Sequence, residues 1–96
     1  MLYLFKIQRV RPLDEYGIYN GAIVAAHNGE EAKRIHPGSE NLHATDEDFW
    51  QHNTEMWDYD ENDWPRNPAD ITVTYVGTAH KDIRLGVVLA DYNPWL

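Results

Sequence analysis

The chain has 96 residues, a formal charge of -8 and no cysteine. That length builds one domain around a single modest core, and the lack of thiols excludes disulfides and thiolate-held metals. At 43% hydrophobic and 25% charged residues, the composition is that of an ordinary globular chain rather than a disordered tail.

The opening MLYLFKIQRV lacks the basic start and the long apolar run of a signal peptide, and no segment reaches membrane-spanning length. A cytoplasmic protein with no membrane role is expected. The net acidity disfavours direct contact with nucleic acid or anionic lipid, and it favours basic partners or cations.

In chain order, residues 2–10 alternate Tyr3, Phe5 and Ile7 with Leu4, Lys6 and Gln8, which predicts a strand. Pro12, Asp14, Glu15 and Gly17 form a turn. Residues 18–26 (IYNGAIVAA) predict a second strand in an antiparallel hairpin with the first, with Gly21 marking a bulge or a close backbone approach. Asn28 with Glu31 three residues on reads as a capping box, opening a short helix over 29–36 that Pro37-Gly38 ends. Thr45 with Asp48 repeats the signature, and a second helix is predicted over 46–57. Phe49, Trp50, Asn53, Met56 and Trp57 share one face of it, and Asp46, Glu47, Gln51, Glu55 and Asp58 take the other.

Pro65 and Pro68 make the following run irregular. Residues 70–77 and 86–92 are strands by their β-branched and aromatic content, joined closely enough for a second hairpin. The tail Pro94-Trp95-Leu96 is expected to fold back on the sheet. The fold class is therefore α+β: a four-stranded antiparallel sheet in the order β-β-α-α-β-β with helices on one face. Residues 1–96 form one domain, with 45–69 as an acidic, Trp-rich insertion before the third strand.

Several pieces resemble a group of small uncharacterised proteins of phages and bacteria. They are Tyr3-Leu4, Asp14-Glu15-Tyr16, the helix end Glu30-Glu31-Ala32-Lys33-Arg34-Ile35-His36-Pro37 and the closing strand Gly86-Val87-Val88-Leu89-Ala90-Asp91-Tyr92-Asn93. The tail departs from the pattern. The resemblance implies a phage or mobile-element setting inside a host cell and brings no activity with it.

Catalytic and phosphate-binding motifs are missing from the sequence: no Gly-x-Ser-x-Gly, no Walker A and a single Ser39 in a loop. No enzyme and no cofactor are expected. The five histidines lack zinc spacing. Asp58-x-Asp60-x-Asn62 copies the start of a calcium loop, but Asp63 stands where the turn glycine belongs and Ala69 where the bidentate Glu belongs. A Ca²⁺ site is thus the weakest of three readings.

The signal above background is Thr45–Trp64, which holds eight carboxylates, no Lys or Arg, and three of the four tryptophans. Laid out as helix, residues 46–63 would span about 27 Å at about 1.5 Å per residue. That is one charge per about 3.4 Å, near the spacing along one DNA strand. The expectation is a non-enzymatic protein that binds and inhibits a basic host protein, of nucleic-acid-binding or defence type, by mimicking DNA. Trp50, Trp57, Tyr59 and Trp64 would supply buried contact, while Asp46, Glu47, Asp48, Asp58, Asp60, Glu61 and Asp63 would meet Lys and Arg. The alternative is a structural or accessory homo-oligomer that buries its tryptophan face between copies. The bland reading is that the tryptophans cap the protein's own sheet and the carboxylates are a solvated helix back.

Overall fold

A computed structural model describes residues 1–60 and 63–93. Strand β1 (Tyr3–Arg9) and strand β2 (Ile18–Ala26) form the expected antiparallel hairpin, with Phe5 opposite Val24 and Ile7 opposite Ala22. These four side chains point to one face and form the centre of the core, as the period of two in β1 requires.

The short helix α1 is Gly29–Lys33, ending earlier than the expected 29–36. The Asn28 side chain accepts from the Glu31 N–H at 2.8 Å, so the N-cap forms. Glu31 Oε1, however, reaches back one residue further than a capping box requires and accepts from His27 N–H at 2.9 Å. Beyond it, Arg34 N–H bonds back to Glu31 O and Ile35 N–H to Ala32 O, a tightened last turn. His36 precedes Pro37, which disfavours helical backbone at that residue.

Helix α2 is Asp46–Tyr59, two residues longer than the sequence pattern indicated. Thr45 Oγ1 accepts from Asp48 N–H at 3.1 Å and caps its start. Its last turn carries no Lys or Arg of its own. Arg66 supplies the missing charge from outside: its Nη2 donates to Trp57 O at 2.9 Å and to Asp60 O at 3.0 Å.

Strand β3 (Ile71–Thr78) pairs with β1, and strand β4 (Gly86–Asn93) pairs with β2, so the antiparallel sheet runs β3-β1-β2-β4. The expected hairpin between β3 and β4 is therefore wrong, because the two strands lie on opposite edges. Residues 79–85 cross the end of the sheet, a step of three strand spacings or about 14 Å that seven residues span easily. Ala79 N–H, bonded to Leu2 O, and Leu85, buried in the core, anchor its two ends.

Phe49 from α2, Ala32 and Ile35 around α1, Ile71 from β3 and Trp64 pack on the inner face of the sheet. The opposite face carries exposed Lys6, Thr72, Thr74 and Leu89, so both helices serve one side. Two glycines are forced by this packing. A Cβ on Gly21 would sit 2.8 Å from Ile7 O, and the pairing with β4 shifts register beside it, so it marks both a close approach and a bulge. Gly86 has φ +128, and a Cβ there would meet Phe49 Cε1 at 2.7 Å. The tail Pro94-Trp95-Leu96 lies outside the described residues.

Candidate functional site

The helix sorts what the linear sequence interleaves. Successive residues on α2 turn by about 100°, so the carboxylates and the rings of Thr45–Trp64 part company. Asp46, Glu47, Asp48, Glu55 and Asp58 are exposed, and Tyr59 keeps 80% of its surface in solvent. Trp50 and Trp57 are half-buried beside the body of the fold. Trp64 is 1% exposed and belongs to the core, which corrects its expected place on an outward patch. Asp60 is likewise turned inward, with its side chain closed to solvent, and Asp63 is half-buried. Glu61 and Asn62 lie outside the described residues.

Asp60 is drawn in by hydrogen bonds. Its Oδ2 accepts from His36 Nε2 at 3.0 Å, and its Oδ1 accepts from Asp63 N–H at 2.6 Å. His36 Nδ1 in turn accepts the Gly38 N–H at 2.9 Å. An amide N–H facing Nδ1 leaves that nitrogen unprotonated, so the proton sits on Nε2 and the ring is neutral. Burial holds the imidazole below its ordinary pKa, against the opposing pull of Asp60's hydrogen bond and charge. The rings of Trp57 and Tyr19 stand edge-on to it at 5.1 and 5.8 Å.

Asn53, which is buried on α2 beside Phe49, completes the lock. Its Oδ1 accepts from His36 N–H at 2.8 Å and from Ser39 Oγ at 2.7 Å, and its Nδ2 donates to Arg34 O at 2.8 Å. Trp57 Nε1 donates to the same Arg34 carbonyl at 3.0 Å. Both His36 nitrogens and the Ser39 hydroxyl are thereby engaged elsewhere, and the three groups form no nucleophilic relay. Sequence reasoning missed this network. Its one visible signal was an amide on an otherwise apolar helix face.

For the calcium reading, Asp58 faces solvent while Asp60 faces His36, so the first two ligand positions do not converge. Among the described residues no group of three His, Asp or Glu side chains is placed to hold a metal ion.

Trp50 and Trp57 face three cations and one acid, Glu31. They line a cavity of about 730 Å³ with Lys33, Arg34 and Arg66, and the Arg34 guanidinium carbon lies 5.9 Å from the centre of the Trp50 ring. Two surfaces result: an acidic outer face of α2 ending at Tyr59, and an aromatic groove between α1, α2 and the start of β3 with basic walls.

No family model, curated protein or solved structure matches the chain. No described helix is long and apolar enough to cross a membrane. The functional reading therefore rests on these two surfaces and on the sequence motifs.

Proposed function

We propose that the protein acts by binding, not catalysis, and that the outer face of α2 docks on a basic protein of the host cell in a phage or mobile-element setting. The observation that carries this is the row Asp46, Glu47, Asp48, Glu55 and Asp58, exposed and with no Lys or Arg in the helix, leading to the exposed ring of Tyr59. Asp46 to Asp58 covers about 18 Å of helix axis at about 1.5 Å per residue. Five carboxylates are fewer than the eight foreseen, because Asp60 points inward, Asp63 is half-buried and Glu61 lies outside the described residues. One charge per about 3.6 Å of axis nevertheless keeps nearly the foreseen spacing. The row still offers an elongated anionic strip of the kind a nucleic-acid-binding groove accepts.

The α2 scaffold suits this role. Its inner face is fixed by Phe49 in the core and by the Asn53 hydrogen bonds, so the backbone beneath the strip needs no ordering on docking. Tyr59 supplies a ring whose apolar body can be buried at a partner, as aromatic anchors at interfaces are.

Capture from host lysate with tagged protein tests the reading. A basic protein should be retained by the wild type, released by raised salt, and missed by a D46N/E47Q/D48N/D58N variant of unchanged melting temperature. Equal retention by the variant would reject the docking face.

A further inference from the structure

We propose that the Trp-walled groove between α1 and α2 binds a nucleoside phosphate. This inference concerns a surface distinct from the acidic strip and stands or falls apart from it. Its starting point is the placement of positive charge. The chain has 8 Lys and Arg against 16 Asp and Glu, yet Lys33, Arg34 and Arg66 line one cavity of about 730 Å³, and Arg9, Arg11 and Arg66 line a neighbouring one of about 700 Å³. Arg66 belongs to both walls, so five of the eight cations flank one continuous strip.

Three of these cations, Lys33, Arg34 and Arg11, are not spent on the acids nearby. Among the described residues, Lys33, Arg34 and Arg11 form no ion pair with a carboxylate, although α2 exposes five carboxylates close in sequence. Glu31, the acidic residue in the wall of the first cavity, is held at 2.8 Å by His27 Nδ1. A second observation points the same way. The indole N–H of Trp64 is buried with no hydrogen-bond acceptor among the described residues, and Trp64 forms part of the wall of the second cavity. The wall there combines that indole with Arg11 and the acid Asp70.

The rings decide which anion. Trp50 and Trp57 offer indole surface in the first cavity, and Trp57 is fixed there by its bond to Arg34 O. Arg34 already lies near the Trp50 ring, the arrangement in which a flat base can be held by stacking and by a guanidinium plane. Arg66, which lines both cavities, is a cation available to the charged substituent of a ring held at Trp50. The volume falls in the range of about 300–1,000 Å³ that small-ligand sites occupy. A longer nucleic acid is disfavoured, because its backbone would run past the groove into the carboxylates of α2 and a chain of net charge -8.

The test uses the full chain, with tryptophan fluorescence and calorimetry against ADP, adenosine and pyrophosphate at low salt. ADP is expected to bind at least tenfold more tightly than either fragment. Arg11→Ala should weaken ADP at least fivefold and leave adenosine unchanged. Arg34→Ala should weaken both ADP and adenosine, because it removes the guanidinium plane as well as a charge, and Trp50→Leu should weaken ADP and adenosine while sparing pyrophosphate. Arg34 and Arg11 are exposed and Trp50 packs against the edge of the core, and an unchanged melting temperature shows that folding is not the cause. Pyrophosphate binding as tightly as ADP would overturn the proposal in favour of a plain anion patch. An acidic aromatic peptide, acetyl-Asp-Tyr-Asp, binding more tightly than ADP would overturn it in favour of a peptide site.

Discussion

His36 Nε2 lies 3.0 Å from Asp60 Oδ2, and both side chains are closed to solvent. The pair joins the segment after α1 to the end of α2 across 24 positions of sequence. It is a hydrogen bond between a neutral imidazole and a carboxylate, because the Gly38 N–H occupies the other ring nitrogen. The end of the acidic helix is thereby fixed from inside, and Arg66 holds it from outside.

Asp60→Asn is the sharpest probe of that arrangement. An amide can still accept from Asp63 N–H, but its NH₂ then faces the proton on His36 Nε2. Relief requires the ring to move its proton to Nδ1, which breaks the bond from Gly38. A loss of about 1–3 kcal/mol is expected for the unmade buried bond. Urea unfolding measures the loss, and imidazole ¹⁵N shifts report the change of tautomer.

The neutral state of His36 also sets a pH dependence. Its pKa in the folded protein is lowered by burial, so below about pH 6.5 the unfolded chain takes up a proton that the folded one refuses. The unfolded state then binds more protons, and stability falls with pH until His36 titrates in the folded state as well. Above that window His36 contributes no slope. Melting temperature should decline between pH 7 and pH 5.5, and His36→Gln should show a shallower decline from a lower starting value. Parallel slopes would show that His36 is not the group responsible.

Asn53→Ala should cost more than any exposed substitution on the same helix. It strands His36 N–H, the Ser39 hydroxyl and one bond to Arg34 O. About 2–4 kcal/mol is expected from these buried groups taken together, against about 0.5 kcal/mol or less for exposed Gln51→Ala. Chemical denaturation of both variants makes the comparison.

Two glycines give a paired test of the backbone. Gly86→Ala places a methyl at 2.7 Å from Phe49 on a positive φ and should destabilise by more than about 1 kcal/mol. A Cβ on Gly77 meets nothing within 4 Å, and Gly77→Ala should be neutral to mildly stabilising.

Much of this fold was legible in the sequence because it is carried by local patterns. The alternation of Tyr3, Phe5 and Ile7 and the β-branched run from Ile71 place strands within a residue or two of their observed ends. The N-cap bonds of Asn28 and Thr45 form, although Glu31 turns to His27 N–H instead of closing the box on Asn28. What local patterns lack is pairing partners. Nothing between Thr78 and Gly86 says that β3 will pair with β1, since that choice depends on residues some seventy positions away. Trp64 and Asp60 were misplaced for the same reason. Counting acids and rings along the chain predicts a mixed patch, whereas the turn of the helix and the bond to His36 separate them. The cations of the groove went unnoticed because Arg66 is far in sequence from the adjacent Lys33 and Arg34 and meets them only in the fold.

The most direct test of the acidic strip is the salt dependence of binding to the captured basic partner. The dissociation constant should rise at least tenfold between 50 and 300 mM salt, as screening shortens the reach of exposed charges. The D46N/E47Q/D48N/D58N variant should bind more weakly and with a flatter salt slope. Affinity that stays constant across that range, or a variant whose slope equals the wild type's, would contradict docking through the outer face of α2.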